Sequence, residues 1–221
     1  MAARIVILGG GFGGVYTART LERLLRPDEA VVTLVNRENY WVYQPMLPEV
    51  ISGNIGLTDV VSPIRRLCPR ANLVMREVEA IDFERRVVTL SPGFRPAPTT
   101  LEYDYLVIAL GNVTSFYGMP GMLEHAKPFR TLADAIALRN HIIHALEEAD
   151  FETDPAFRKK LLTFVVAGGG FSGVEVIAEL NDFVRGVAHH YRRIPPEEIR
   201  CVLVHSGPRI LPEMVEGLAL F

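Results

Sequence analysis

Two stretches of this chain nearly repeat one another: IVILGGGFGGVY at residues 5–16 and FVVAGGGFSGVE at 164–175. Each starts as an apolar run, breaks at three glycines and continues with helical spacing. That pattern confines the chain to strand–loop–helix–strand units built around parallel sheet. In the first copy RIVILG at 4–9 reads as a strand buried on both faces. A helix is predicted from Val15 to about Arg26, with Val15, Ala18, Leu21 and Leu25 at helical spacing; Pro27 and Asp28 end it. VVTLVN at 31–36 is the second strand. In the second copy the strand is LLTFVVAG, the helix runs from Ser172 to about His190, and IRCVLVH is the strand that follows.

The glycines have separate tasks. Gly9, Gly11 and Gly14 fit G-x-G-x-x-G, and Gly168, Gly170 and Gly173 fit it again. The first of each set permits a tight turn, the second lets backbone approach a pyrophosphate, and the third allows close packing of helix on strand. The helix that follows aims N–H groups and the positive end of its dipole at the phosphates. Glycine-rich turns also join strands to helices for purely structural reasons, but two copies, each correctly flanked, are hard to explain that way. A P-loop is excluded, because no Gly-Lys-Ser/Thr follows either run. Hydride transfer between two dinucleotides needs two such cradles. The end of the second strand, where an acid would hold a ribose hydroxyl, carries Asn36 in the first unit, with Glu38 as a substitute, and His205 in the second. Without a carboxylate at His205 the choice between NADH and NADPH stays open, and Arg209 would favour the phosphate.

Between the repeats, Tyr40–Pro69 reads as irregular apart from a short helix near Val60–Leu67. Short strands follow in NLVMREVEAIDF, RRVVTL and TTLEYDYLVIAL, then a helix from about Leu132 to Asp150, with the charged ETDPAFRKK as a domain boundary. The fold class is α/β with two Rossmann-like dinucleotide-binding domains, the second incomplete: 1–118 with an inserted β-meander, a helical connection over 119–160, and 161–221, where GLALF reads as the start of a helix. A net charge of −3 gives no case for nucleic acid. No apolar run approaches the ~18 residues that span a bilayer. Cys68 and Cys201 form no paired-cysteine motif, which suits reduced thiols in a cytoplasmic protein. His141 and His144 share a helical face and His189 and His190 are adjacent, but no carboxylate or cysteine set surrounds them and no metal site is expected.

Four stretches resemble the two-dinucleotide-binding flavoproteins, and most closely the type II NADH dehydrogenases, single-subunit NADH:quinone oxidoreductases. They are GGGFGG; NRENYWVYQPMLPEVISG at 36–53; YDYLVIALG at 103–111, with Leu110 where the family usually has Thr; and GGGFSGVEVIAEL with LVHSGPRILPEM, preceded by FRTLADAIALRNHI. The resemblance implies FAD at the first loop, with contacts from Gly9, Gly11, Phe12, Gly13, Gly14, Asn36, Arg37, Ala109 and Gly111, and from Val78 to the adenine through its backbone. It implies NAD(P)H as substrate at the second loop, with Gly168, Gly170, Phe171, Ser172, Gly173, Glu175 and His205. Gln44 would lie near the isoalloxazine and Glu175 by the nicotinamide, as catalytic residues. Glu175 is expected in the first helical turn, where the dipole alone would also favour a carboxylate. For Tyr40, Trp41 and Tyr43 packing is the simpler expectation.

The function so implied is passage of electrons from NADH through FAD to a quinone, without proton pumping. A soluble reductase of a ferredoxin-like acceptor and a truncated, non-catalytic nucleotide-binding fragment are the alternatives. A disulfide reductase lacks its cysteine pair. The family's closing Gly-Asp flavin segment and membrane-attaching helices are absent, so an N-terminal fragment of a chain about twice as long is expected. Attachment to the inner face of the plasma membrane is expected only of a full-length form, and homodimerisation stays open.

Overall fold

The apolar run at the start of the chain is covered on both of its faces. In the computed structural model, which describes residues 2–215 and 217, β1 (Ala3–Leu8) turns through the first glycines into α1 (Phe12–Leu24) and returns as β2 (Ala30–Asn36). The chain continues through β3 (Tyr40–Val42), a 3₁₀ turn at Gln44–Met46, α2 (Leu47–Ser52), β4 (Val61–Pro63) and α3 (Ile64–Leu67). Then come β5 (Asn72–Met75), β6 (Val78–Asp82), β7 (Val87–Leu90), β8 (Thr99–Glu102) and β9 (Tyr105–Ile108). The remainder is α4 (Met122–His125), α5 (Leu132–Phe151), α6 (Pro155–Leu161), β10 (Thr163–Ala167), α7 (Phe171–Val187) and β11 (Arg200–Val204).

The chain divides into two compact units. The first, Met1–Tyr43 with Val61–Val113, holds a parallel four-stranded sheet in the order β5-β2-β1-β9. Alternate residues of β1 serve different layers. Ile5 and Ile7 pack with Val15, Ala18, Val32, Leu34 and Ile64, on the helix side. Val6 and Leu8 pack with Val35, Val88, Leu90 and Tyr103, under the antiparallel meander β6-β7-β8. The meander's role is to cover the second face of β1. β9 is tied to β1 beyond the ladder: Asp104 N–H donates to the Arg4 carbonyl at 2.9 Å, and the Arg4 guanidinium pairs with Asp104 at 2.9 Å and with Glu102.

The second unit, Gln44–Val60 with Thr114–Phe221, holds β10 and β11 as a parallel pair, with α7 connecting them and α2 packed on α5 and α7. Three segments differ from expectation. Tyr40–Pro69 is not irregular: β3 pairs antiparallel with β4, and α2 buries Leu47, Val50 and Ile51. Two of its prolines sit at helix starts, Pro48 within the first two positions of α2 and Pro63 at the N-cap of α3, where a missing N–H costs nothing. Gln44–Val60 groups with the second unit through α2, not with the N-terminal 118 residues. The ETDPAFRKK segment is helix α6: the Asp154 carboxylate accepts from Ala156 N–H at 2.9 Å and Pro155 follows, a start signal that its charge disguises. The helix expected at GLALF falls on residues outside those described, apart from Gly217.

Candidate functional site

The two glycine loops share one geometry. Gly9 and Gly168 both have positive φ, 103° and 121°, which only glycine adopts without strain. Gly9 N–H donates to Val35 O and Gly168 N–H to Val204 O, each at 2.8 Å. A Cβ on Gly14 would run into the Gly9 carbonyl oxygen, and one on Gly173 into that of Gly168. The N-caps of α1 and α7 are Gly11 and Gly170, which supply no side-chain cap, and neither first turn holds an acid, so the backbone N–H groups there are left for a ligand anion. A Cβ on Gly11 would meet nothing within 4 Å, so that backbone is open to close approach.

The middle glycines have a partner that spacing does not announce. Gly10 N–H donates to Asn36 Oδ1 at 2.8 Å, and Gly169 N–H donates to His205 Nδ1 at 3.2 Å. A Cβ on Gly10 would lie 2.7 Å from Asn36 Cγ, and one on Gly169 would lie 2.7 Å from His205 Cγ. Asn36 and His205 thus hold their own loops. The Asn36 amide is used at both ends, since Nδ2 donates to Glu38 O at 2.9 Å.

Around the first loop, Ala109 N–H donates to Leu8 O at 2.8 Å, and its carbonyl lies where a Gly9 Cβ would go. Gly111 has φ +73° and is exposed. Phe12, the first residue of α1, meets Trp41 edge-on at 5.1 Å and Tyr43 at 5.8 Å between ring centroids. Trp41 and Tyr43 also lie 5.8 Å apart, and Trp41 Nε1 is buried with no hydrogen-bond partner among the described residues. Burial, then the Glu38 charge, pushes the Tyr40 hydroxyl up. At the carboxyl ends of β2 and β5 a cleft of about 350 Å³ is lined by Arg37, Glu38, Met75, Arg76, Glu77 and Ser91, among others. Arg37 stands 3.8 Å from Glu77, and Val78 begins β6 just past this rim.

Around the second loop, Leu211 N–H donates to Gly169 O at 2.6 Å, which lays the 211–214 segment on the loop. Glu213 Oε1 lies 3.6 Å from the position of a Gly170 Cβ. Arg209 donates to Met214 O at 3.0 Å and Pro212 O at 3.1 Å, so its guanidinium braces that segment. Phe171 and Ser172 are exposed on the first turn of α7. Glu175 is not in that turn: α7 starts at Phe171, its first turn holds no acid, and the carboxylate stands one position beyond it, exposed. The dipole therefore has little hold on Glu175, which has no hydrogen-bond or ion-pair partner among the described residues. Its counterpart in the first unit, Tyr16, stacks on Phe12. One turn on, Glu179 accepts from Asn54 Nδ2 at 3.0 Å. Gln44 Nε2 donates to Arg130 O at 3.4 Å. Cys68 is buried and Cys201 half-buried, both free, and burial pushes both thiols up. Among the described residues no three His, Cys, Asp or Glu side chains gather to hold a metal ion, and no helix is long and apolar enough to cross a membrane.

The sequence pattern of the family described as pyridine nucleotide-disulphide oxidoreductase matches residues 3–220. The chain belongs to that family. Within it, the chain is 34% identical to the type II NADH:quinone oxidoreductase NdhA of Mycobacterium tuberculosis, over 98% of its own length and 46% of that protein's. It is 31% identical to the mitochondrial external alternative NADH-ubiquinone oxidoreductase of Yarrowia lipolytica, over 97% of this chain and 38% of that one. The structure of NDH2 from Plasmodium falciparum in complex with NADH superposes with a TM-score of 0.89 at 27% identity, covering 99% of this chain and 45% of the other. The chain thus spans less than half the length of each of these proteins. As a pyridine nucleotide-disulphide oxidoreductase it has no cysteine pair beside α1: Cys68 stands alone there, bonded to the Val15 carbonyl at 3.7 Å.

Proposed function

We propose that this protein oxidises NADH through FAD and delivers the electrons to a quinone, with no proton translocation. The observation that carries the proposal is the duplicated cradle: two loops with matched positive-φ glycines, matched carbonyl contacts and matched side-chain clamps, in a chain similar to NADH:quinone oxidoreductases. One reductase needs two such cradles because a resident dinucleotide and a transient one must be held at the same time.

FAD fits the first loop. Gly11 leaves open space for a close-lying pyrophosphate, α1 offers an uncapped N-terminus, and the buried Trp41 N–H lacks an acceptor that a cofactor oxygen would supply. The proposed holders are Gly9, Gly11, Phe12, Gly13, Gly14, Ala109 and Gly111, with Asn36 fixing the loop. The cleft lined by Arg37, Glu38, Arg76 and Glu77 would receive the adenosine end near Val78. When bound, FAD supplies the capacity to accept a hydride and to pass electrons on singly or in pairs.

In the second cradle the backbone of Gly168, Gly170, Phe171, Ser172 and Gly173 would bind the NADH pyrophosphate, with His205 fixing the loop. Glu175 is the proposed catalytic residue beside the nicotinamide, because its carboxylate is exposed just past the first turn of α7 and has no partner among the described residues. Gln44 would contact the reacting rings. A quinone dissolves in lipid and NADH in the cytoplasm, so the proposal puts the full-length protein at the inner face of the plasma membrane, held peripherally.

The test is spectroscopic. Purified protein is expected to show the visible flavin bands, to lose them on anaerobic addition of NADH, and to oxidise NADH with a soluble quinone. Glu175→Gln is expected to keep the bands and slow their bleaching at least about tenfold, with NADH affinity little changed. Absence of flavin, or a flavin that NADH does not reduce, sinks the proposal.

A further inference from the structure

His205 stands where an acid selects NADH, and it presents different chemistry. Val204 pairs with Ala167 at the end of β11, so the next side chain stands beside the loop. The imidazole is wedged between two glycines: a Cβ on Gly169 would come within 2.7 Å of Cγ, and one on Gly207 within 2.7 Å of Nε2. Nδ1 accepts the Gly169 N–H. A neutral imidazole that accepts at Nδ1 carries its proton on Nε2. In the first unit Asn36 uses both ends of its amide within its own loop. In the second unit one end is engaged and the other is spare, since Nε2–H has no partner among the described residues.

The loop bond thus fixes the tautomer, and the tautomer leaves a donor at the ribose end. A carboxylate there accepts from the 2′-hydroxyl and repels a 2′-phosphate. A spare N–H donor repels neither, and a phosphate oxygen is the stronger acceptor of the two. Ser206, exposed beside it, adds a hydroxyl. Glu213 lies against Gly170, at the pyrophosphate end.

From this geometry we infer that His205 lets the second site take NADPH as well as NADH, receiving the 2′-phosphate at Nε2–H. Arg209, the cation that spacing suggested for this role, is engaged with Met214 O and Pro212 O and serves by bracing the 211–214 segment. The inference rests on the proposal that this loop is the NAD(P)H site.

Calorimetric titration with four probes tests it: NADH, NADPH, 5′-AMP and 2′,5′-ADP. NADPH is expected to bind within about tenfold of NADH, and 2′,5′-ADP more tightly than 5′-AMP. His205→Asp keeps an acceptor for the Gly169 N–H and adds a charge. It is expected to weaken NADPH and 2′,5′-ADP at least about tenfold and to leave NADH as tight or tighter. His205→Asn, which keeps an acceptor for the Gly169 N–H but has neither the imidazole N–H nor the charge, is expected to bind NADH as the wild type does and to lose the tighter binding of 2′,5′-ADP over 5′-AMP, and it also controls for folding. A wild-type preference for NADH above about a hundredfold, or equal losses for both nucleotides in His205→Asp, overturns the inference alone. Failure of every probe to bind overturns the reading of the site, and the inference with it.

Discussion

Gly14 and Gly173 each carry a hydrogen where a methyl group would strike a backbone carbonyl of its own loop. Backbone cannot step aside as a side-chain tip can, so Gly14→Ala and Gly173→Ala must push α1 or α7 off its strand. Each is expected to cost on the order of 3 kcal/mol and to act on its own nucleotide. Gly14→Ala should lower the flavin-to-protein ratio, and Gly173→Ala should weaken NADH in a binding titration; unchanged binding of both in both variants would contradict the paired-cradle reading. Both loops read GGG where the motif requires only G-x-G. Asn36 and His205 supply the reason, but the bond is made across a sheet and no local pattern shows it. Cys68 gives a prediction of a different kind. Burial, with Glu22 adding, pushes its thiol up to about 11 from an ordinary 9. The folded protein then keeps a proton that the unfolded chain releases, so this stabilisation is full below about pH 9 and is lost as pH rises toward 11. Urea midpoints across that range should fall, and fall less steeply in Cys68→Ala; identical slopes would remove Cys68 as the cause.

Among the elements, α5 has the best-defined start. Thr131 Oγ1 accepts from Asp134 N–H at 3.1 Å and Asp134 Oδ2 accepts from Thr131 N–H at 2.8 Å, a reciprocal capping box. Thr131→Ala is expected to cost about 1 kcal/mol, read as a lower urea midpoint at unchanged slope; a shift under about 0.3 kcal/mol would mean that other bonds at Arg130 and Asp134 hold the turn. This helix, the two glycine-loop helices and the apolar strands were all legible, because each declares itself by period and by its boundary residues. The short elements were not. β3 and α2 are too brief to show a period, and Pro48, Pro155 and Asp154 read as breakers until their places at the first turns of α2 and α6 are known.

For the molecule as a whole, the repeated strand–loop–helix unit was legible. The grouping of Gln44–Val60 with the second unit was not, since it depends on α2 packing against helices that lie far along the chain. The same separation in sequence governs the first sheet. β1 is paired by β2 within thirty residues, but its other edge waits for β9, and Asp104, which bonds both the backbone and the guanidinium of Arg4, is 100 residues downstream. At ~5–20 residues per second of synthesis, roughly 5–20 s pass before that edge can close. During this interval Ile5 to Leu8 present an unpaired, wholly apolar margin to whatever is nearby. The first strand of this sheet to be made is thus the last in it to be paired on both sides, and until Asp104 emerges its free edge is open to wrong pairing.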